Sequence, residues 1–159
     1  MHDVMTQNVT MYEGDAYLGI DCGSTTTKLA LITENGGLLY TYYHSNQGNP
    51  VAIVLEQLRT IYAMCGDRIQ IRGAAVTGYG EDLIKNAFSC DLGLVETVAH
   101  YRAAAHFEPE VDFIIDIGGQ DMKCFKIRNQ AVDSIMLNEA CPSRRGPFIE
   151  TLAQALGHS

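Results

Sequence analysis

The chain has 159 residues, of which 47% are hydrophobic and 19% charged, and it carries a net charge of −8. These values are typical of a core-forming globular protein and argue against wholesale disorder and against a general nucleic-acid-binding surface, which needs a basic excess. No stretch of the sequence approaches the roughly 20 apolar residues of a membrane span, and the polar N-terminus lacks the apolar segment of a secretory signal. We therefore expect a cytoplasmic protein.

The first part of the chain predicts three antiparallel strands, followed by helices and one more strand. Residues 1–15 are expected to form a flexible lead-in. Asn49 and Pro50 supply the N-cap and first residue of a helix that ends at Gly66. The remaining predictions are strands at 17–20, 28–33, 38–43 and 69–76, and helices at 81–87 and 95–107. A meander followed by crossover helices is typical of a ribonuclease-H-like α/β layer.

The pattern restarts at Val111. Strands are predicted at 113–117, 122–127 and 131–137, with a helix around 148–156. Both copies open on a strand that ends in Asp-x-Gly, which indicates an internal structural repeat. We expect a first ribonuclease-H-like subdomain at 16–110 and a partial second one at 111–159. The second copy stops after its first helix, so the chain is expected to end before the fold is complete.

The first Asp-x-Gly site, Asp21-Cys22-Gly23-Ser24, has the composition of a phosphate-binding turn; it is called the first turn below. Gly23 is expected to permit a backbone conformation with exposed N–H groups. Lys28 could reach a phosphate, and Asp21 could hold Mg²⁺ directly or through water. Additional hydroxyl donors are Ser24, Thr25 and Thr26. An ordinary β-hairpin turn rich in Gly, Ser and Thr explains this segment equally well when it is taken alone.

The second turn, Asp116-Ile117-Gly118-Gly119-Gln120-Asp121, favours the phosphate interpretation of both. Gly118 and Gly119 let the backbone approach further phosphate oxygens, Asp116 supplies a second carboxylate for the metal, and Gln120 can orient a water. Chance placement of both turns at the same point of two repeated meanders is improbable. Facing each other across a cleft, they would clamp a triphosphate and its Mg²⁺.

Three further features are candidates for function. Thr77-Gly78-Tyr79-Gly80 either lines the cleft or is a simple strand-to-helix turn. Glu96 and His100 share one face of a helix, as an acid/base pair or as a surface pair. Cys141 lies in a polar, proline-flanked loop where packing gives no reason for it. The other four cysteines are expected to be small buried hydrophobes.

Five segments occur in the order LGIDCGSTTTKLALI, AVTGYGEDLI, ETVAHYRAA, DFIIDIGGQDMKCFKI and MLNEACPSRRGPFIETLAQALG. In this order they resemble the BadF/BadG/BcrA/BcrD ATPase family, the activators of 2-hydroxyacyl-CoA dehydratases and the ATPase subunits of benzoyl-CoA reductase. The resemblance runs from about Tyr17 to the end of the chain.

The resemblance implies an acetate and sugar kinase/Hsp70/actin fold of two ribonuclease-H-like halves. It implies a homodimer with one [4Fe-4S] cluster between the subunits, in which ATP hydrolysis drives an electron into a partner dehydratase. Cys141 matches the first of two cluster cysteines per subunit, and the second belongs to the half that is not here. The chain departs from the family at Arg144 and Arg145, where a glycine and a small residue are typical. These cations either contact phosphate or crowd the site.

Two alternatives to this activator function remain open from the sequence. A small-molecule kinase of the same superfold, such as an N-acetylglucosamine kinase, would share both turns but would not need Cys141. An inactive fragment could act only as a pairing module, and its uncovered sheet edges and apolar faces would make it self-associate or be poorly stable. We expect weak or absent ATP hydrolysis by the chain alone, because the adenosine-binding portion would lie in the missing half.

Overall fold

A computed structural model describes residues 9–117 and 122–138 of the chain. The chain divides into two compact units, Met1–Glu96 and Thr97–Ser159. Each unit is described by itself.

In its described residues, the first unit has a five-stranded mixed sheet, with two helices that follow β3 and β4 in the chain. Its strands lie in the order β3-β2-β1-β4-β5. β1, β2 and β3 pair antiparallel, whereas β4 pairs parallel with β1, and β5 pairs parallel with β4. The elements are β1 (Gly14–Cys22), β2 (Thr26–Thr33), β3 (Leu38–Ser45), α1 (Pro50–Cys65), a 3₁₀ turn (Gly66–Arg68), β4 (Ile69–Thr77), α2 (Glu81–Phe88) and β5 (Leu92–Leu94). The predicted meander and crossover are confirmed, and β5 is an addition to the prediction.

One face of β1 forms the centre of the core. Alternate residues of this strand are buried, as expected for a sheet covered on that face: Ala16, Leu18, Ile20 and Cys22. They belong to one cluster with Val54 and Ile61 of α1 and Ile84 of α2. α1 begins as predicted, with Pro50 in its first turn and the Asn49 side chain accepting a hydrogen bond from Ala52 N.

The expected flexible lead-in is wrong for its later part. Residues 9–11 are helical, Val9 is fully buried in the core cluster, and β1 already begins at Gly14. The Tyr12 hydroxyl also donates a hydrogen bond to Asp15 O at 2.9 Å. The hydrophobic pattern before Gly14 is too short to predict this packing, because a single buried valine has no periodicity.

The second unit contains a helix and a three-stranded antiparallel sheet in the order β6-β7-β8. The helix is α3 (Glu96–Phe107), whose first residue belongs to the first unit. The strands are β6 (Phe113–Ile117), β7 (Met122–Arg128) and β8 (Ala131–Asn138), close to the predicted bounds. Cys124, Phe125 and Ile127 of β7 are buried. The helix predicted around 148–156 lies outside the described residues.

The four cysteines that the structure describes are buried, as predicted: Cys22, Cys65, Cys90 and Cys124. They are called the buried thiols below. Burial is the main reason that the pKa of each is raised above the usual thiol value. Of the helices within the described residues, none is long and apolar enough to cross a membrane.

Candidate functional site

The first turn leaves the end of the central strand. β1 is bordered by β2 on one side and β4 on the other, so its C-terminal end is held by two strands. Ser24 and Thr25 are exposed at the turn, and Thr26 is half-buried. The two residues at the tip are therefore accessible to a ligand from solvent.

Close packing of the backbone favours glycine at position 23 of this turn. The φ angle of Gly23 is not positive, so this residue does not adopt the left-handed conformation. A Cβ at this position would instead lie 3.3 Å from Thr26 O, tighter than an ordinary contact. The glycine is favoured because the turn brings two backbone segments close together.

Asp21 and Lys28 face each other across the β1–β2 pair. Lys28 Nζ donates a hydrogen bond to Asp21 Oδ2 at 2.6 Å and lies 5.7 Å from the centre of the Tyr43 ring. Partial burial lowers the pKa of Lys28, but the hydrogen bond and the charge of Asp21 outweigh it, and the pKa is raised. In this structure the ammonium group, which we expected to reach a phosphate, is bound to the carboxylate that we expected to hold Mg²⁺.

Thr77-Gly78-Tyr79-Gly80 lies directly against the first turn. Gly80 N donates a hydrogen bond to Cys22 O at 2.9 Å. Gly78 has a φ of +93°, and a Cβ there would lie 2.6 Å from the same carbonyl oxygen, while a Cβ at Gly80 would overlap Cys22 Sγ. The segment thus supports the end of β1. Its exposed tip is Tyr79, which is 92% exposed.

In the second unit, Asp116 is paired with a histidine. His100 Nδ1 lies 3.0 Å from Asp116 Oδ2, and the two side chains are only 30% and 20% exposed. The His100 ring also packs against the ring of Phe125, with 6.4 Å between the ring centres. His100 therefore contacts Asp116, a partner that the sequence spacing of Glu96 and His100 did not indicate. Asp116 is the penultimate residue of β6, as Asp21 is of β1.

Glu96 begins α3, and its charge contributes to the raised pKa of Lys28. Its catalytic role stays a prediction. The other predicted site residues lie outside the described part of the chain: Gly118, Gly119, Gln120, Asp121, Cys141, Arg144 and Arg145.

The sequence reasoning missed Asn46, which follows β3. This side chain is 4% exposed, and its Nδ2 donates a hydrogen bond to Gly23 O at 2.9 Å. An asparagine between a strand and a glycine is a common loop residue, so its contact with a turn more than 20 positions earlier leaves no sequence signal.

The antiparallel meander, the parallel crossover and the aspartate near the end of β1 define the class: an actin-like ATPase fold of the ribonuclease-H-like type. The chain belongs to the BadF/BadG/BcrA/BcrD ATPase family, whose sequence model matches residues 18–159.

Relatives of the chain include an uncharacterised protein of Methanocaldococcus jannaschii, 33% identical over 84% of this chain and 52% of that protein. The 2-hydroxyisocaproyl-CoA dehydratase activator of Clostridioides difficile is 30% identical over 87% of this chain and 52% of the activator. A solved structure of an activator of the same dehydratase from Clostridium difficile, with bound ADPNP, superimposes with a TM-score of 0.67 at 26% identity, covering 91% of this chain and 53% of that one. The chain thus spans about half the length of the curated relatives it matches.

Proposed function

We propose that this chain is the phosphate-binding part of a cytoplasmic, ATP-dependent activator of a 2-hydroxyacyl-CoA dehydratase. Family membership and the names of its relatives support this function. The structural observation that carries it is the first turn, where Ser24 and Thr25 are exposed at the end of a central strand. A turn anchored in this way can present donors to an anion with little reorganisation.

In this proposal, the backbone N–H groups and the hydroxyls of Ser24 and Thr25 donate hydrogen bonds to phosphate oxygens. Asp21 and Asp116 are hard oxygen ligands of the kind that Mg²⁺ prefers. Each is already oriented by a basic side chain, Asp21 by Lys28 and Asp116 by His100. In the proposal each carboxylate would be a ligand of the metal, which would neutralise phosphate charge when bound. Gln120, in the second turn, would orient a water, and Glu96 would act as the acid/base candidate.

Nucleotide binding is tested by titrating MgADPNP into the whole chain in a calorimeter. Asp21→Asn keeps the shape of the side chain and removes its charge, so we expect at least about tenfold weaker binding. Asp15→Asn is the matched control, because Asp15 lies at the other end of β1 and pairs with Arg72 at 2.9 Å. Absence of binding by the unmodified chain, or an equal loss in both variants, would contradict the proposal. We expect weak ATP hydrolysis throughout.

The iron–sulfur part of the proposal, with its homodimer, depends on Cys141. Among the described residues, no cysteine belongs to a group of three metal-ligating side chains, and the buried thiols lie in the packed cores of the two units. They therefore do not fit a [4Fe-4S] cluster, which needs thiolate ligands brought together. Anaerobic reconstitution should give a brown chromophore that Cys141→Ala abolishes and Cys65→Ala retains. A chromophore that survives Cys141→Ala would contradict the assignment.

A further inference from the structure

Asn46 is a buried polar residue with every polar group bonded. Its Nδ2 donates to Gly23 O at 2.9 Å, and its backbone N donates to Thr25 O at 2.9 Å. Its Oδ1 accepts from Gly48 N at 3.0 Å, and its backbone O accepts from Asn49 N at 2.8 Å. One of the four hydrogen bonds therefore goes to Gly23 in the first turn, one to Thr25 directly after it, and two to the loop that leads into α1.

The bond to Gly23 O has a directional consequence for the turn. In a trans peptide the C=O and the following N–H point in opposite directions. With the Gly23 carbonyl drawn towards Asn46, the N–H of Ser24 points away from it. Asn46 thus fixes the direction in which this N–H is presented, beside the exposed Ser24 side chain.

The loop around Asn46 is itself held in an uncommon conformation. Gln47 has a φ of +47° and Gly48 a φ of +78°. A positive φ is disfavoured for a residue with a side chain, so the hydrogen bond from Gly48 N to Asn46 Oδ1 helps to maintain it. Because Asn49 N bonds to Asn46 O and Asn49 caps α1, the loop joins the first turn to the start of a helix.

We propose that Asn46 is a positioning residue for nucleotide phosphate: it sets the orientation of the Gly23–Ser24 peptide through its Nδ2. This inference rests on the proposed function, since it concerns the same turn. The competing explanation is that Asn46 only closes its own loop. The two explanations depend on different atoms of the side chain: loop closure uses Oδ1, whereas the bond to the first turn uses Nδ2.

Asn46→Asp separates these explanations. The carboxylate still accepts the hydrogen bond from Gly48 N, but it has no N–H to donate to the Gly23 carbonyl oxygen. Asn49→Asp is the matched control: the same chemical change lies three residues away, where Asn49 Oδ1 accepts from Ala52 N and an aspartate is an equally good cap. Two quantities are measured on the full chain at neutral pH: the chemical shifts of the backbone amides at 23–26, and the dissociation constant of MgADPNP.

We expect Asn46→Asp to shift the backbone amide resonances of the first turn, because the Gly23–Ser24 peptide reorients, and to weaken MgADPNP binding by at least about tenfold. The amide resonances of α2 and β7 should stay unchanged, and Asn49→Asp should match the unmodified chain at 23–26. If the aspartate prevents folding, Asn46→Ala takes its place; because alanine removes both Oδ1 and Nδ2, a change confined to residues 47–49 and absent at 23–26 would then overturn the inference. Wild-type amide chemical shifts at 23–26 in the folded variant, or equal changes across the whole first unit, would overturn the inference.

The two measurements also separate the two proposals. If the unmodified chain does not bind MgADPNP, the proposed function fails for this chain, whereas the amide chemical shifts still decide whether Asn46 orients the turn. If binding is present and Asn46→Asp changes the amide shifts but not the affinity, the proposed function stands and the positioning role in binding is wrong.

Discussion

Gly80→Ala would place a methyl group against the Cys22 thiol, at the point where the strand-to-helix turn meets the first turn. The backbone of Gly80 has φ −90° and ψ 14°, which alanine adopts without strain. The introduced Cβ would overlap Cys22 Sγ and lie 3.2 Å from Cys22 Cβ. The loss of stability is therefore steric. It depends mainly on the buried Cys22 sulfur atom, which Cys22→Ala removes.

Overpacking of this kind costs about 1–3 kcal/mol, and replacing glycine with alanine returns about 0.4–1 kcal/mol through the unfolded state. We expect a net loss of about 1–2 kcal/mol in the free energy of unfolding. Cys22→Ala alone leaves a small cavity and costs about 1 kcal/mol. In the double variant the methyl group fills the space of the sulfur, so the combined loss should be at most about 1 kcal/mol, well below the sum of the two.

The assay is urea unfolding followed by far-UV circular dichroism, since the chain has no tryptophan. With a slope of about 2 kcal/mol per molar urea, Gly80→Ala should lower the midpoint by about 0.5–1 M. Gly78→Ala is the control: its Cβ would lie 2.6 Å from the Cys22 carbonyl oxygen, which Cys22→Ala leaves in place. Additive losses for Gly80→Ala and Cys22→Ala, or rescue of Gly78→Ala as well, would refute the packing argument.

Three further predictions concern stability. Thr27 is fully buried, and its hydroxyl has no hydrogen-bond partner within the described structure, so Thr27→Val should raise the free energy of unfolding by about 1 kcal/mol in urea titrations. The control variant Thr33→Val removes a bonded hydroxyl and should lower the free energy of unfolding. A loss of stability in both variants would contradict this prediction. Asn49→Ala should cost about 1 kcal/mol by removing the cap of α1, whereas an equal cost for Asn49→Asp would show that the cap is not responsible. In reducing buffer, stability should fall as the pH rises above 9.0, because unfolded thiols ionise there while burial raises the pKa of the native ones. The free energy of unfolding should fall by up to about 1.4 kcal/mol per pH unit for each buried thiol, and Cys65→Ala should make this fall less steep. A free energy of unfolding that stays constant up to about pH 10 would contradict the reasoning.

The sequence predicted the meander well because its signals are local. Alternating apolar residues and a glycine-rich hairpin determine β1 to β3, and the Asn49-Pro50 pair begins α1 where expected. β5 escaped prediction because three residues give no periodicity. Its place is set by distant contacts: Asp91 Oδ2 accepts from Ala74 N at 2.7 Å, and the Thr77 hydroxyl donates to Leu94 O at 2.7 Å.

The site was predictable in residue type and only partly in arrangement. The two aspartates were found because each precedes a glycine turn at the end of a strand. Their partners depend on how strands and helices pack, so the bonds of Asp21 to Lys28 and of Asp116 to His100 could not be derived from spacing. Asn46 was missed for the same reason, as its bond to the first turn closes a segment longer than 20 residues.

The parallel pairing of β1 with β4 has a consequence for the order of folding. Ile20 pairs with Leu29 of the adjacent hairpin and with Val76 of β4. Closing the longer segment costs roughly 1.5 kcal/mol more chain entropy, so the hairpin should form first and the parallel pair later. During synthesis the first turn would therefore exist before Gly78 and Gly80 arrive to support it. If the first turn binds phosphate as proposed, nucleotide present at that stage would meet an unsupported loop, and affinity should appear only after the crossover has closed.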